Sequence, residues 1–193
     1  MNVEDFISKI LTYEKLPTIY KLGKFMNSYL IGKSGKRYLQ CDCSGLIKGT
    51  LWGYPKNGKY GNIYPDVNAN NIINNYCYEI SSDFSKIEKG EFVWLNGHIG
   101  VYIGNGMVCE CSPKWENGIQ LTKLSDRNWK KHGKSKWLDY SNISSSKTWD
   151  IDKIAHNVII GKYGNGHETR MKNIGCDKAT YEQIRKRVNE LLK

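Results

Sequence analysis

The chain opens with apolar residues spaced three and four apart. In MNVEDFISKILTYEKL, Phe6, Ile7, Ile10 and Leu11 share one helical face, which predicts an amphipathic N-terminal helix. LPTIYKLGKF then reads as a turn-rich bridge. Helical spacing returns at Leu46, Ile47, Thr50 and Leu51, predicting a helix from Cys43 to about Tyr54. Residues 53–70 gather Gly, Pro and Asn and read as a loop, followed by a polar, irregular or helical stretch to Gly90. There the period changes. EFVWL, HIGVYI and MVCECS have strand character, with Gly104-Asn105-Gly106 as the turn between the last two, and GIQLTKL supplies a fourth strand. Helices ahead of an antiparallel sheet predict an α+β domain.

Periodicity stops in the Ser-rich stretch DYSNISSSKTWD (139–150), and residues 141–150 read as a linker between a domain at 1–140 and a module at 151–193. The module carries three helix signals. Asp152 is placed to cap a run with Ile154, Ala155, Val158 and Ile159 on one face. His167 to Ile174 stops at Gly175, and Tyr181, Ile184, Val188 and Leu191 form a third stripe. A three-helix bundle of this size is near the lower limit for folding alone.

Charge narrows the partners. The net charge is +10, divided as +6 for residues 1–150 and +4 for the remainder, so both parts are basic. A diffuse basic surface suits an anionic polymer or surface. No Lys/Arg run alternates with aromatics as an RNA-binding face would, which argues against nucleic acid. No apolar run approaches the roughly 20 residues of a membrane span. The N-terminus carries acids where a secretory signal carries bases and lacks an apolar core, so synthesis in the cytoplasm without a signal peptide is expected. In that compartment Cys41, Cys43, Cys77, Cys109, Cys111 and Cys176 are expected to be mostly free thiols. Thirteen Tyr and six Trp can offer stacking surfaces to sugars or peptides, although core packing is the commoner use of such residues.

The stretch QCDCSGLI admits three readings: half a metal site, half a disulfide pair, or a nucleophile. As a nucleophile, Cys43 stands in the first turn of its helix, where free N–H groups and the macrodipole favour a thiolate. Asp42 is placed to cap that helix. Ser44 and Gly45 are small enough for a carbonyl to approach the backbone amides. A base is then needed, and His98 shares a strand face with Gly100 and Tyr102. Glu110 is the candidate to orient it. A two-residue Asn105-Gly106 turn would set Gly100 opposite Cys111; a three-residue Gly-Asn-Gly loop sets it opposite Glu110. The second register is expected, because only it completes an acid-oriented histidine. Cys-x-Cys, at 41/43 and 109/111, is the weaker zinc signal, since structural zinc usually takes Cys-x-x-Cys knuckles. A zinc-stabilised binding protein without catalysis thus stays as an alternative.

DCSGLI, HIGVYIGNG and VCECSP together resemble the NlpC-type papain-like cysteine peptidases, over roughly residues 15–125. TIYKLGK is similar to that family's Tyr-x-x-Gly-Gly element, with Lys24 in place of the second glycine and Tyr20 in the tyrosine's position. The family's third group is most often histidine; Glu110 stands there, as in a variant resembling phage lysins. The tail, with Gly161-Lys162-Tyr163-Gly164-Asn165-Gly166 and then Arg170, resembles the CW-seven cell-wall-binding repeat. The resemblance implies a peptidoglycan hydrolase of endolysin type, reaching the wall through a holin pore or by lysis. Cys43, His98 and Glu110 would be catalytic, with Tyr20, Asp42, Ser44 and Gly100 in support. Tyr163, Gly164, Asn165, Gly166 and Arg170 would bind the wall, and no metal or organic cofactor is implied. Cys41, Cys109 and Cys111 become packing residues. The bond expected to be cut is D-γ-glutamyl to diamino acid, with N-acetylmuramoyl to L-alanine as the alternative and an acyltransferase on the same scaffold as another. Oligomeric state is not legible in the sequence.

Overall fold

The computed structural model describes residues 1–53, 64–141 and 149–192. Contacts divide the chain into two units, Met1–Ser146 and Lys147–Lys193.

Asn2 caps α1 (Val3–Glu14) by accepting from the Asp5 N–H at 2.8 Å. The helix buries Val3, Phe6, Ile7 and Ile10, the predicted stripe displaced by one position, since Leu11 is only half-buried. Phe6 meets Phe92 with ring centroids 6.1 Å apart. Full burial of each such side chain contributes about 1.5–3 kcal/mol. Against α1 and α2 (Cys43–Trp52) lies a sheet of six strands in the order β4-β9-β5-β6-β7-β8. These are β4 (Cys77–Ser81), β5 (Phe92–Leu95), β6 (His98–Gly104), β7 (Met107–Cys111), β8 (Ile119–Lys123) and β9 (Lys131–Ser135). Ile99, Val101, Cys109, Cys111 and Ile119 point into the helix-side core, together with Leu46 and Ile47 of α2. Val93, Val108 and Trp129 form a smaller cluster, joined by half-buried Tyr102. By the period of two, His98, Gly100 and Tyr102 share one face of β6 while Ile99 and Val101 take the other.

The bridge at LPTIYKLGKF is in part a second, smaller sheet, ordered β1-β3-β2. Here β1 (Thr18–Tyr20) runs parallel to β3 (Arg37–Cys41), which pairs antiparallel with β2 (Phe25–Ile31). Alternation hides these strands. β1 has three residues, Tyr29, Leu30 and Ile31 of β2 are all exposed, and an irregularity between Phe25 and Ser28 carries Met26 at φ 63°. β9 and β4 were also unmarked, because β9 is Lys-His-Gly-Lys-Ser and has no apolar side chain to count. Within the predicted 53–70 loop and the stretch after it, α3 (Ala69–Asn75) is capped by Asn68, and residues 54–63 lie outside the described residues. So do residues 142–148 of the predicted linker.

In the second unit α4 (Ile151–Ile159), α5 (His167–Ile174) and α6 (Lys178–Leu191) share a core of Ile154, Val158, Ile174, Tyr181 and Ile184. The cap of α4 is Asp150, not Asp152: it accepts from the Lys153 N–H at 2.9 Å. Asp152 instead binds Arg187 Nε at 2.6 Å. Ile159, predicted on the apolar face, is exposed, because the helix ends there. α5 stops at Gly175 as predicted from the sequence, and the glycine takes the left-handed conformation.

Candidate active site

Cys43 is the first residue of α2, and its position is set by backbone packing. A Cβ on Gly45 would lie 2.0 Å from the Lys24 carbonyl oxygen, and one on Gly49 2.7 Å from that of Phe25. The two glycines, one turn apart, let the start of β2 lie flat on the helix. Asp42 then ties three pieces together. Its carboxylate accepts from the Gly45 N–H at 2.6 Å, the Ser44 hydroxyl at 3.0 Å and the Gly23 N–H at 2.7 Å. Gly23, at φ 75°, is the glycine of Tyr20-Lys-Leu-Gly. Ser44 is thus engaged with Asp42, and its side chain is buried.

Burial pushes the Cys43 thiol up to about 11, and the negative charge of Asp42 adds to this. The N–H groups of Ile99, Ser44 and Cys43 pull the other way and lose. The helix start therefore does not by itself produce a thiolate, contrary to the expectation from position alone: desolvation outweighs the dipole. Tyr20 is close enough to feel that thiol. Burial raises its hydroxyl to about 12, with Cys43 and Asp42 contributing.

His98 follows Gly97 at the start of β6, and its neighbour Ile99 directs its N–H toward Cys43 Sγ. His98 Nε2 is 2.6 Å from Glu110 Oε2. The register brings this about by an unexpected route. Gly104 pairs with Met107, so the turn is the two-residue Asn105-Gly106, with Asn105 at φ 52°. Ile103 then bulges, and beyond it Tyr102 pairs with Val108 and Gly100 with Glu110. The predicted pairing stands, and the three-residue loop inferred to produce it does not. Glu110 is fully buried. Burial alone would raise its carboxyl, but bonds from His98, Arg127 and Thr122 outweigh that and hold it below its ordinary value. Thr122 Oγ1 donates at 2.7 Å, and Trp129 stacks on the imidazole at 5.6 Å and 15°. Sequence reasoning missed Thr122, Arg127 and Trp129. Thr122 carried a signal, because it pairs with Val108 and so lies on the Glu110 face. Arg127 and Trp129 follow β8 on an irregular segment and carried none.

A second histidine–carboxylate pair lies deeper. His132 Nδ1 bonds Glu91 Oε2, and its Nε2 is 3.0 Å from the Asp83 carbonyl oxygen. Both side chains are 3–4% exposed, so no substrate reaches them. Cys41 and Cys111 are fully buried, with their sulfurs 3.2 Å apart, and Cys109 is buried as well. Among the described residues no three His, Cys, Asp or Glu side chains are grouped to hold a metal ion.

A 550 Å³ cavity opens between Trp115, Asn117 and Gln120 on one side and Lys15, Lys36 and Tyr38 on the other. Gln120 pairs directly with Glu110 across β8 and β7. In the second unit, Tyr163 and Arg170 of the predicted wall-binding residues line different cavities. Tyr163 lines a 390 Å³ cavity with Trp149, Lys153 and Asn157. Arg170 lines another of 240 Å³ with His167 and Arg185, while its Nε binds the Gly164 carbonyl at 2.9 Å. Gly164 and Gly166 take φ 78° and 87°, and Asn165 is exposed between them.

A cysteine at a helix start beside an antiparallel sheet bearing an acid-paired histidine defines a papain-like α+β domain. The chain belongs to the NlpC/P60 family, whose family model matches residues 26–137. Residues 152–192 match the CW_7 repeat. Among solved structures, the peptidoglycan hydrolase RipB from Mycobacterium tuberculosis is similar, with TM-score 0.50 and 18% identity. The match covers 72% of this chain and 65% of the RipB chain. The P60 domain of an antigen from M. avium subspecies paratuberculosis matches with TM-score 0.49 and 16% identity, over 72% of this chain and 96% of that one. RipD from M. tuberculosis, a non-catalytic NlpC/p60 domain protein, matches with TM-score 0.48 and 15% identity, over 68% and 95%. Comparison with curated proteins returns no significant match. Among the described residues no helix is long and apolar enough to cross a membrane.

Proposed function

We propose that this NlpC/P60 protein is a cysteine peptidase that cuts an amide bond in the peptidoglycan stem peptide, between D-γ-glutamate and the diamino acid. The observation that carries the reading is the 2.6 Å contact of His98 Nε2 with buried Glu110, beside the strand position that directs an N–H at Cys43. With Nε2–H donated to the carboxylate, Nδ1 is the basic nitrogen. Because the Cys43 thiol sits near 11, it is protonated in the resting enzyme. His98 Nδ1 takes the thiol proton as the sulfur adds to the scissile carbonyl carbon. The Cys43 and Ser44 N–H groups, free of helical partners in the first turn, stabilise the oxyanion with the Tyr20 hydroxyl. Collapse breaks the C–N bond, His98 returns the proton to the leaving amine, and water hydrolyses the thioester.

The second unit holds the enzyme on the wall, which raises the local substrate concentration without altering the chemistry. An endolysin role, acting on the wall after release from the cytoplasm, accords with that pairing of parts. The test is Cys43→Ala against purified wall, with mass spectrometry of the released fragments. New amino groups on the diamino acid support the reading, whereas free L-alanine termini would make the enzyme a muramoyl amidase. Lysis by Cys43→Ala at the parent rate would end it. Residues 147–193 alone should pellet with the wall.

A further inference from the structure

Glu110 is wrapped by donors on every side. Oε2 meets His98 Nε2 at 2.6 Å and Arg127 Nε at 2.6 Å, while Oε1 meets Thr122 Oγ1 at 2.7 Å and the same Arg127 Nε at 2.8 Å. The Arg127 nitrogen therefore straddles both carboxylate oxygens. Glu110 has no exposed surface, and a carboxylate in that position takes up a proton unless a cation stays with it. Thr122 is neutral. His98 begins the cycle neutral if it is to accept the thiol proton, which leaves Arg127 as the permanent counter-charge.

The guanidinium is held for that task. The Trp115 ring covers it, 5.3 Å from Cζ to the ring centroid, and Nη2 is buried without a hydrogen-bond partner among the described residues. Two residues on, Trp129 stacks on the imidazole. One short segment, Arg127-Asn-Trp129, thus supplies both the cation behind the acid and a wall beside the base.

We propose that Arg127 is a positioning residue of the catalytic site, keeping Glu110 ionised while cancelling most of its field at His98. The role rests on the peptidase reading above. Glu110 then fixes the imidazole tautomer through one strong bond, with its own charge already met by the guanidinium. Of the other titratable groups, Cys109, next to Glu110 on β7, feels its charge, while Cys43 and Asp42 at the start of α2 and Tyr20 on β1 interact with one another.

The experiment compares Arg127→Gln, Arg127→Lys and Thr122→Val with the parent on a soluble muropeptide, following kcat, KM and the pH profile. Removing the cation favours the imidazolium, so Arg127→Gln should move the acid limb of kcat/KM to higher pH by about one unit. It should also lower kcat at pH 7 by about 10²-fold and leave KM within about twofold. Arg127→Lys should restore the limb and most of kcat, and Thr122→Val should leave the limb in place. A parent-like limb in Arg127→Gln, or equal losses in the Gln and Lys variants with the limb unmoved, would overturn the role and make Arg127 a packing residue. If Arg127→Gln does not fold, Arg127→Lys decides: a parent-like limb with most of kcat supports the role, and a displaced limb with kcat lost overturns it. Cleavage by Cys43→Ala would sink the peptidase reading itself, a separate outcome.

Discussion

Gly100 faces Glu110 across β6 and β7 because Ile103 bulges between the turn and the pair. The space at Gly100 is filled from the other strand: a Cβ there would lie 2.7 Å from Val108 Cγ1 and 3.4 Å from Glu110 Cβ. Val108 is fully buried and has nowhere to retreat. Gly100→Ala should therefore lose about 1–3 kcal/mol of stability and displace Glu110 from His98. We expect kcat to fall more than tenfold with KM little changed. A variant with parent kcat would show that Glu110 tolerates the shift.

The depressed carboxyl of Glu110 makes a directional prediction about acid stability. In the unfolded chain such a group titrates near its ordinary 4.5, and in the folded protein it titrates lower. Its stabilising contribution is therefore complete above about pH 4.5 and disappears as pH falls through the folded value. Urea midpoints measured from pH 7 to 3 should fall more steeply for the parent than for Glu110→Gln. Equal slopes would mean the carboxyl is not depressed.

Alkylation reads the Cys43 thiol directly. With the group near 11, labelling by iodoacetamide in the absence of substrate should rise about tenfold per pH unit from 7 to 10. A plateau below pH 8 would reveal a preformed thiolate–imidazolium pair. Cys41→Ala is the control; it should cost stability through the lost buried sulfur and leave turnover per folded molecule near the parent's.

His132 and Glu91 should matter to folding and not to turnover. Burial pushes the Glu91 carboxyl up, with the His132 bond opposing. Replacing His132 by Leu strands a buried acid, at a cost of about 3–5 kcal/mol if it stays charged. Specific activity of the folded fraction should be unchanged. A selective loss of kcat would give this second pair a catalytic role.

The parts of this molecule that sequence made legible are those whose physics is local. Phe6 and Ile10 announce α1 by spacing, and HIGVYI announces β6 by alternation and a Gly-Asn-Gly turn. Gly100 opposite Glu110 was reachable because only one register serves the chemistry, although the Ile103 bulge that creates it leaves no trace in residue type. β9 escaped notice because His132, Gly133 and Ser135 are buried polar or side-chain-free positions that hydrophobic counting passes over. Arg127 escaped for another reason. Its partner lies 17 residues back, and only the fold shows that a basic residue after β8 turns inward. The thiol's behaviour was misjudged because a helix start is visible in sequence and the depth at which it is buried is not.

The contact of Gly45 and Gly49 with the backbone of Lys24 and Phe25 has a bearing on how this protein can change. At Gly45 main chain rests on main chain, so the placing of the sulfur there does not depend on the size of an intervening side chain, while at Gly49 the Met26 side chain packs beside the Phe25 carbonyl. Core residues around α2 can drift in volume without tilting the nucleophile, provided those two positions stay bare. Variation is thereby released to surface segments such as the one bearing Trp115, Glu116 and Asn117. A library confined to that segment would sample new surfaces while leaving the Cys43 sulfur where it is.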